Sequence, residues 1–215
     1  PYQTWFIKQC LMAMNEFHEQ ISSGKTDRMQ DITEEEVVIS KYGEDRVNTV
    51  KLRSLRPQSQ WQKVVTENET AEVRCIGINI ETRPDFINEK EVKRLRYLGA
   101  TKVEIGVQTT DDKVQEITKR GHGLLAVRKA TALLKDAGFK IGYHMMPNLP
   151  GSSVELDKRM VGDLFKGPGS SAYQPDYLKI YPCMVIAGTE LSENYRRGEF
   201  KPYDDKILQE VLLAE

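Results

Sequence analysis

Five side chains able to bind a polar ligand, Glu81, Gln108, Arg120, His144 and Lys179, lie in or just after short runs of alternating character. In the first run Gly77, Asn79 and Glu81 alternate with Ile76, Ile78 and Ile80. In the second, Glu104, Gly106 and Gln108 alternate with Val103, Ile105 and Val107. The third sets Gly142, His144 and Met146 against Ile141, Tyr143 and Met145, and the fourth sets Tyr177, Lys179 and Tyr181 against Leu178 and Ile180. Alternate side chains of a strand face opposite ways, so each set shares a face. One face is branched and apolar, suited to packing under helices. The other joins glycine to Glu, Gln, His or Lys. A doubly wound sheet would be apolar on both faces, so a barrel whose lumen holds a ligand site accounts for the pattern better. Glu81, Gln108 and Met146 fall at the carboxyl ends of their strands, where barrel sites gather. The alternative is a satisfied buried network without chemistry, although burying several ionisable groups costs free energy unless they are paired or used.

Two loops extend this candidate site. Lys119-Arg120-Gly121-His122 follows the second strand and a short helix. A guanidinium fork there suits a carboxylate or phosphate, with Lys119 and His122 as candidate substrate contacts. The same residues also read as a solvated basic loop. Met146-Pro147-Asn148-Leu149-Pro150-Gly151 follows the third strand. Its two prolines bracket a tight turn whose backbone could lie against a flat ring, although Pro-Gly alone marks only a turn.

The elements that must position these groups are legible in outline. Strands are expected over 73–80, 102–108, 140–146 and 177–181. Helices are expected over 89–98, 111–118, 124–137 and 154–165, and from Gly188 and Tyr203 onward, with Gly99 and Gly138 as stops. Strand–helix alternation at this spacing means right-handed parallel βα units. Upstream, residues 5–18 read as a helix with Trp5, Ile7, Leu11, Met12, Met14 and Phe17 on a broad apolar face. Residues 22–60 shift to charged and polar composition and read as an insertion or mobile loop. Val37-Val38-Ile39 and residues 47–52 are placed for a hairpin within it.

Composition sets outer limits. The chain has 215 residues, 29% of them charged, and a formal net charge of −1. That is enough for one domain, or one domain with an insertion. It gives no global basic field, so contact with RNA would rest on local patches. No apolar run is long enough to span a bilayer. Cys10, Cys75 and Cys183 are odd in number and far apart, which favours neither a disulfide framework nor a metal cluster and suits a reducing, cytoplasmic setting. The first residue is Pro1, and the last helical pattern (Ile207, Leu208, Val211, Leu212, Leu213) stops without a cap. Both ends therefore read as those of a piece of a longer chain.

Glu81-Thr82-Arg83-Pro84-Asp85, Glu104-Ile105-Gly106-Val107-Gln108, Arg120-Gly121-His122, His144-Met145-Met146-Pro147 and Leu178-Lys179-Ile180-Tyr181-Pro182 occur here in one order. That ordered set resembles the catalytic subunit of Elongator and its archaeal and bacterial relatives, over nearly all of the chain except 22–60. Residues 1–7 are similar to the segment after the family's second barrel strand. The resemblance implies the later part of a radical S-adenosylmethionine (SAM) barrel, a partial (β/α)6 fold incomplete at both ends. It also implies a 4Fe-4S cluster held by three cysteines outside this chain, and an acetyltransferase domain, also outside it, that uses acetyl-CoA. Together these modify wobble uridine 34 of tRNA at carbon 5 through a radical derived from SAM. By position Glu81 and Gln108 resemble groups that bind the SAM ribose, Arg120 the partner of its carboxylate, and His144 a polar residue near the adenosyl group. Lys179 faces the same lumen without an assigned role. No residue is assigned an acid–base role, because carbon-radical chemistry needs none here. The implied partners are tRNA and other Elongator subunits or a second copy of the chain, with no membrane. Without the cysteine motif, the glycine-rich motif and the acetyltransferase domain, this chain alone is expected to be inactive.

Two other readings remain open. One is a non-catalytic RNA-binding or scaffolding barrel that uses Lys93, Arg94, Arg96, Lys119, Arg120, Arg196 and Arg197. The other is a conventional barrel enzyme acting on a phosphorylated small molecule, with Lys179 as a Schiff-base lysine.

Overall fold

The structure is a computed structural model that describes residues 2–17, 58–167 and 169–214. The hairpin expected within 37–52 and most of the charged segment 22–60 lie outside the described residues. The chain divides into two compact units, Pro1–Ile76 and Gly77–Glu215.

In the first unit, helix α1 (Tyr2–Asn15) packs on helix α2 (Gln58–Thr70). Leu11, Trp61 and Val64 are buried. The Asn15 amide donates to the Val64 carbonyl at 3.1 Å, and Asn68 donates to the Asn15 side chain at 2.7 Å. The sequence reading missed α2 by treating its start as part of the charged segment. The spacing of Trp61, Val64 and Asn68 gives one helical face that meets α1, and this tertiary partner outweighs the polar composition.

The second unit holds the sheet. Strands β1 (Ile78–Thr82), β2 (Ala100–Gln108), β3 (Lys140–Met145) and β4 (Tyr177–Ile180) are all parallel and lie in sequence order. Helix α3 (Glu89–Tyr97) links β1 to β2. Helices α4 (Asp112–Ile117) and α5 (Leu124–Asp136) link β2 to β3, and α6 (Val154–Phe165) lies between β3 and β4. Helices α7 (Glu190–Arg196) and α8 (Asp205–Leu212) follow. This is an α/β arrangement of the kind that forms part of a barrel wall.

The expected division of faces holds. Val103, Ile105, Val107, Ile141 and Tyr143 are fully buried beneath helices, with Leu95, Val127, Ala130 and Leu134 packed in the same core. Burial pushes the Tyr143 hydroxyl pKa up, and that hydroxyl pairs with Thr131. The helices are punctuated as their sequences dictate. The Asn88 side chain caps α3 through the Glu91 amide, Ser153 caps α6 through Leu156, and Gly99 ends the α3 turn at φ +78°.

One strand boundary differs. β1 begins at Ile78, not at 73, and Ile76 is exposed outside it. The reason is the partner strand: β2 starts at Ala100, immediately after the Gly99 turn and opposite Ile78, so nothing remains to pair with residues further upstream. The other element ends lie within one or two residues of expectation, apart from α1, which starts at Tyr2, three residues early, and ends at Asn15, short of 18.

Candidate functional site

Strand register turns the polar faces into one surface. Glu81 stands opposite Glu104, Gly106 opposite His144, and His144 opposite Lys179. At the centre is Glu104, whose side chain is only 3% exposed. Its Oε1 accepts from Asn79 Nδ2 at 2.5 Å and from the Tyr177 hydroxyl at 2.9 Å. Its Oε2 faces Lys179 Nζ at 2.7 Å and His144 Nε2 at 2.5 Å. The other ring nitrogen of His144, Nδ1, lies 3.3 Å from Glu81. Tyr181 completes the surroundings, its ring centroid 5.6 Å from that of His144.

Burial pushes the Glu104 carboxyl pKa up, but hydrogen bonds from Lys179, His144, Asn79 and Tyr177 outweigh it and hold the group at about 2. Burial and the Glu104 carboxylate push the Tyr177 hydroxyl up to about 12. The same carboxylate raises Lys179. A Schiff-base lysine needs the opposite shift, because the neutral amine is the nucleophile. The conventional-enzyme reading of Lys179 therefore finds no support in this environment.

Gln108, Arg120 and Gly106 form a second cluster. A Cβ added to Gly106 would meet Arg120 Nη2 at 2.5 Å and Gln108 Nε2 at 2.7 Å, so both side chains converge over this glycine. Gln108 reaches that position through a left-handed backbone, φ +73°, where the β2–β3 register shifts. Such a conformation costs roughly 1 kcal/mol or more in a non-glycine residue and gathers at functional sites. The Arg120 Nε is buried without a hydrogen-bond partner. Burial and the Arg83 charge press the Arg120 pKa down, partly offset by Asp85; the guanidinium stays protonated.

His122 lies beside Arg120 with both ring nitrogens buried and unpaired. Burial and then the Arg120 charge lower its pKa; the Gly106 carbonyl is near enough to favour the charged form slightly, without hydrogen-bond geometry. Lys119 points elsewhere, into an exposed ion pair with Glu190 at 3.0 Å. Arg83, ion-paired with Asp85 at 2.7 Å, closes over Gly121.

The loop after β3 is held by Asp157 of α6, a buried residue. Its carboxylate accepts from the Asn148 amide at 2.7 Å, the Ser152 hydroxyl at 2.6 Å and the Tyr203 hydroxyl at 2.8 Å. The loop after β4 continues the ladder, with Cys183 N donating to the Pro147 carbonyl at 2.9 Å.

The structure thus brings Glu81, His144 and Lys179 together around Glu104, and Gln108, Arg120 and His122 together around Gly106. Sequence reasoning placed Glu104, Asn79 and Tyr177 on the polar face but did not rank them as site residues; it gave Arg83 no role beyond the resemblance and missed Asp157. Parity with Gln108 was the available signal for Glu104; its partners depend on register.

Residues 16–160 match the Radical SAM superfamily, and residues 175–214 match the Radical_SAM C-terminal domain. The chain belongs to the radical SAM superfamily. Within it the chain is similar to the tRNA uridine(34) acetyltransferase of Methanocaldococcus infernus, 42% identical over 211 residues, which are 98% of this chain and 32% of that protein. It is 40% identical to Elongator complex protein 3 of Homo sapiens over 150 residues, 70% of this chain and 27% of that one. The structure of the archaeal M. infernus Elp3 with an N-terminal deletion superposes with a TM-score of 0.74 at 40% identity, covering 99% of this chain and 40% of that one. Coproporphyrinogen III oxidase from Escherichia coli, a radical SAM enzyme, shares the fold at 17% identity and a TM-score of 0.50, over 73% of this chain and 36% of that one. The chain spans about a third of the length of the curated relatives it matches.

Membership implies SAM and a 4Fe-4S cluster. The orphaned Arg120 Nε, with the Gln108 amide beside its guanidinium over Gly106, suits the carboxylate of SAM. The cluster does not fit this chain's own thiols. Cys10 lies on α1, Cys75 ahead of β1 and Cys183 after β4; none is in a disulfide and no two share an element. Burial raises the Cys183 pKa, which makes it a poor thiolate. The carboxylate–imidazole group Glu81, Glu104 and His144 lies within 4.8 Å, but both Glu104 oxygens are already engaged by donors, and a cation there would have to displace Lys179.

Proposed function

We propose that this chain is the SAM-binding part of the radical SAM barrel in an Elongator-type enzyme that modifies wobble uridine 34 of tRNA at carbon 5. The convergence of Gln108 and a partly unsatisfied Arg120 over Gly106, beside Glu81 and His144 on one polar face, carries the reading. The similarity to tRNA uridine(34) acetyltransferases supports the substrate.

In this reading Arg120 binds the SAM carboxylate, and the Glu81 carboxylate and Gln108 amide take the ribose hydroxyls. His144, with Tyr181 beside it, borders the adenosyl group, and Lys179 contributes a fixed positive charge. Lys119 and His122 serve the substrate side; the exposed Lys119–Glu190 pair opens at little cost when a phosphate competes for the ammonium. Bound SAM and a reduced 4Fe-4S cluster supply carbon-radical chemistry, and acetyl-CoA supplies the acetyl group. The cluster ligands and the acetyltransferase belong to other parts of the whole protein. Its partners are tRNA and further Elongator subunits or a second copy. No helix among the described residues is long and apolar enough to cross a membrane, and the working setting is cytoplasmic.

The test uses the whole protein with Arg120→Ala. Losing a charge-assisted, partly buried contact weakens SAM binding by about 1.5–3 kcal/mol, roughly one to two decades in Kd. Arg120→Lys recovers part of this, since an ammonium cannot reproduce the planar fork. Unchanged SAM affinity together with weaker, less salt-dependent tRNA binding would assign Arg120 to phosphate instead.

A further inference from the structure

Glu104 is the most connected side chain of the polar face, and the SAM reading gives it no task. We propose that Glu104 is a positioning residue: an ionised carboxylate that fixes Lys179 as an ammonium and anchors the His144 ring through Nε2. The geometry carries this. A carboxylate has about four acceptor sites and no donor, and Glu104 meets four donors within hydrogen-bond distance. Asn79 and Tyr177 converge on Oε1, Lys179 and His144 on Oε2.

Each of the four strands contributes to the cluster: Asn79 from β1, Glu104 from β2, His144 from β3, and Tyr177 with Lys179 from β4. The Tyr177 ring passes so close over Gly142 that a Cβ there would lie 2.5 Å from it, and the ring ends with its hydroxyl on Glu104. Asn79, otherwise exposed, turns its amide inward. These two occupy Oε1, and the second oxygen meets the two groups that face a ligand. A protonated or amide side chain would set its donor against at least one of these four groups, whereas the carboxylate accepts from all four. The neighbours that bear on Lys179 are Glu104 first, with Tyr181 and Glu81 adding to the same effect, and His144 shares the Oε2 contact.

The consequence for SAM rests on the reading above, but the device itself is intramolecular and is tested without SAM. The whole protein is treated with formaldehyde and cyanoborohydride at mildly alkaline pH, and methylation of Lys179 is followed by peptide mass spectrometry. Lys113, exposed on α4, is the internal reference. Lys179 is only 40% exposed but open to the reagent. It should react about tenfold more slowly than Lys113, because only the neutral amine attacks the aldehyde and the Glu104 contact holds Lys179 as the ammonium. Glu104→Gln should bring the two rates within about twofold of each other, because the amide no longer stabilises the ammonium. Tyr177→Phe removes a contact of the same cluster but keeps the carboxylate, and should leave Lys179 slow.

Equal rates for Lys179 and Lys113 in the wild-type protein would overturn the proposal, with or without a foldable Glu104 variant. So would a Tyr177→Phe protein in which Lys179 becomes as reactive as Lys113, since any loosening of the cluster would then suffice. The SAM reading fails separately: a slow Lys179 combined with SAM affinity indifferent to Arg120→Ala would remove SAM from this face and leave the Glu104 assignment standing.

Discussion

Glu104 makes folding depend on pH through its buried carboxyl group. Its folded pKa of about 2 lies below its ordinary value of 4.5. The folded chain therefore binds fewer protons than the unfolded chain in between. The stabilisation is complete above pH 4.5 and is lost as pH falls toward 2. Comparing urea midpoints of wild-type protein and Glu104→Gln at pH 6 and pH 3 isolates this group, because the other carboxylates titrate in both proteins. The wild-type advantage should shrink by on the order of 2 kcal/mol between these two pH values. A constant difference would show that the carboxylate is no more ionised when folded than when unfolded. At this scale the sequence was informative about direction and silent about partners. Glu81, His144 and Lys179 were placed on one face because alternation is local to each strand. That Glu104 would gather Asn79, Tyr177, His144 and Lys179 follows from register, which no single strand encodes.

At the level of elements, the site depends on glycines that make room for side chains from neighbouring segments. Gly142 of β3 lies under the Tyr177 ring, and an added Cβ would stand 2.5 Å from two ring carbons. The ring is pinned by its hydroxyl on Glu104, so it cannot swing aside without breaking that contact. Gly142→Ala should therefore lower stability by about 1–3 kcal/mol, as overpacking does, and denaturant unfolding measures it. If Tyr177→Phe is added, the ring is released and part of the loss should return. An unchanged double variant would place the strain elsewhere. The strands, the order of helices and their glycine stops were legible because alternation, helical periodicity and stop signals are local. Helix α2 was hidden because its apolar face is short and acquires meaning only against α1. Asp157 was hidden because an acid in the first turn of α6 reads as a favourable dipole contact, whereas its carboxylate in fact holds Asn148, Ser152 and Tyr203.

On the scale of the whole molecule, the proposed function needs more than this chain's own residues supply. The chain spans about a third of the curated relatives it matches and supplies the polar face. Its three cysteines lie on three separate segments of the sequence. Protein consisting of these 215 residues should thus stay colourless after anaerobic iron–sulfur reconstitution, since such clusters need a set of thiolates. Visible absorption in proportion to protein, abolished by Cys183→Ser, would overturn this. The overall charge of −1 gives no field for drawing in a polyanion, so under the proposed function tRNA recognition would rest on local cations.

Gln108 also bears on how such a chain would change over evolutionary time. Glycine takes its left-handed backbone at no steric cost, and asparagine at less cost than most residues. As long as the amide is needed over Gly106, selection opposes both replacements. Once the need lapsed, drift would favour them, while the helix-covered side of the same strand, Val103, Ile105 and Val107, would stay apolar to keep the protein folded. A descendant that had abandoned its ligand would therefore show the loss first at this one position, with its architecture intact.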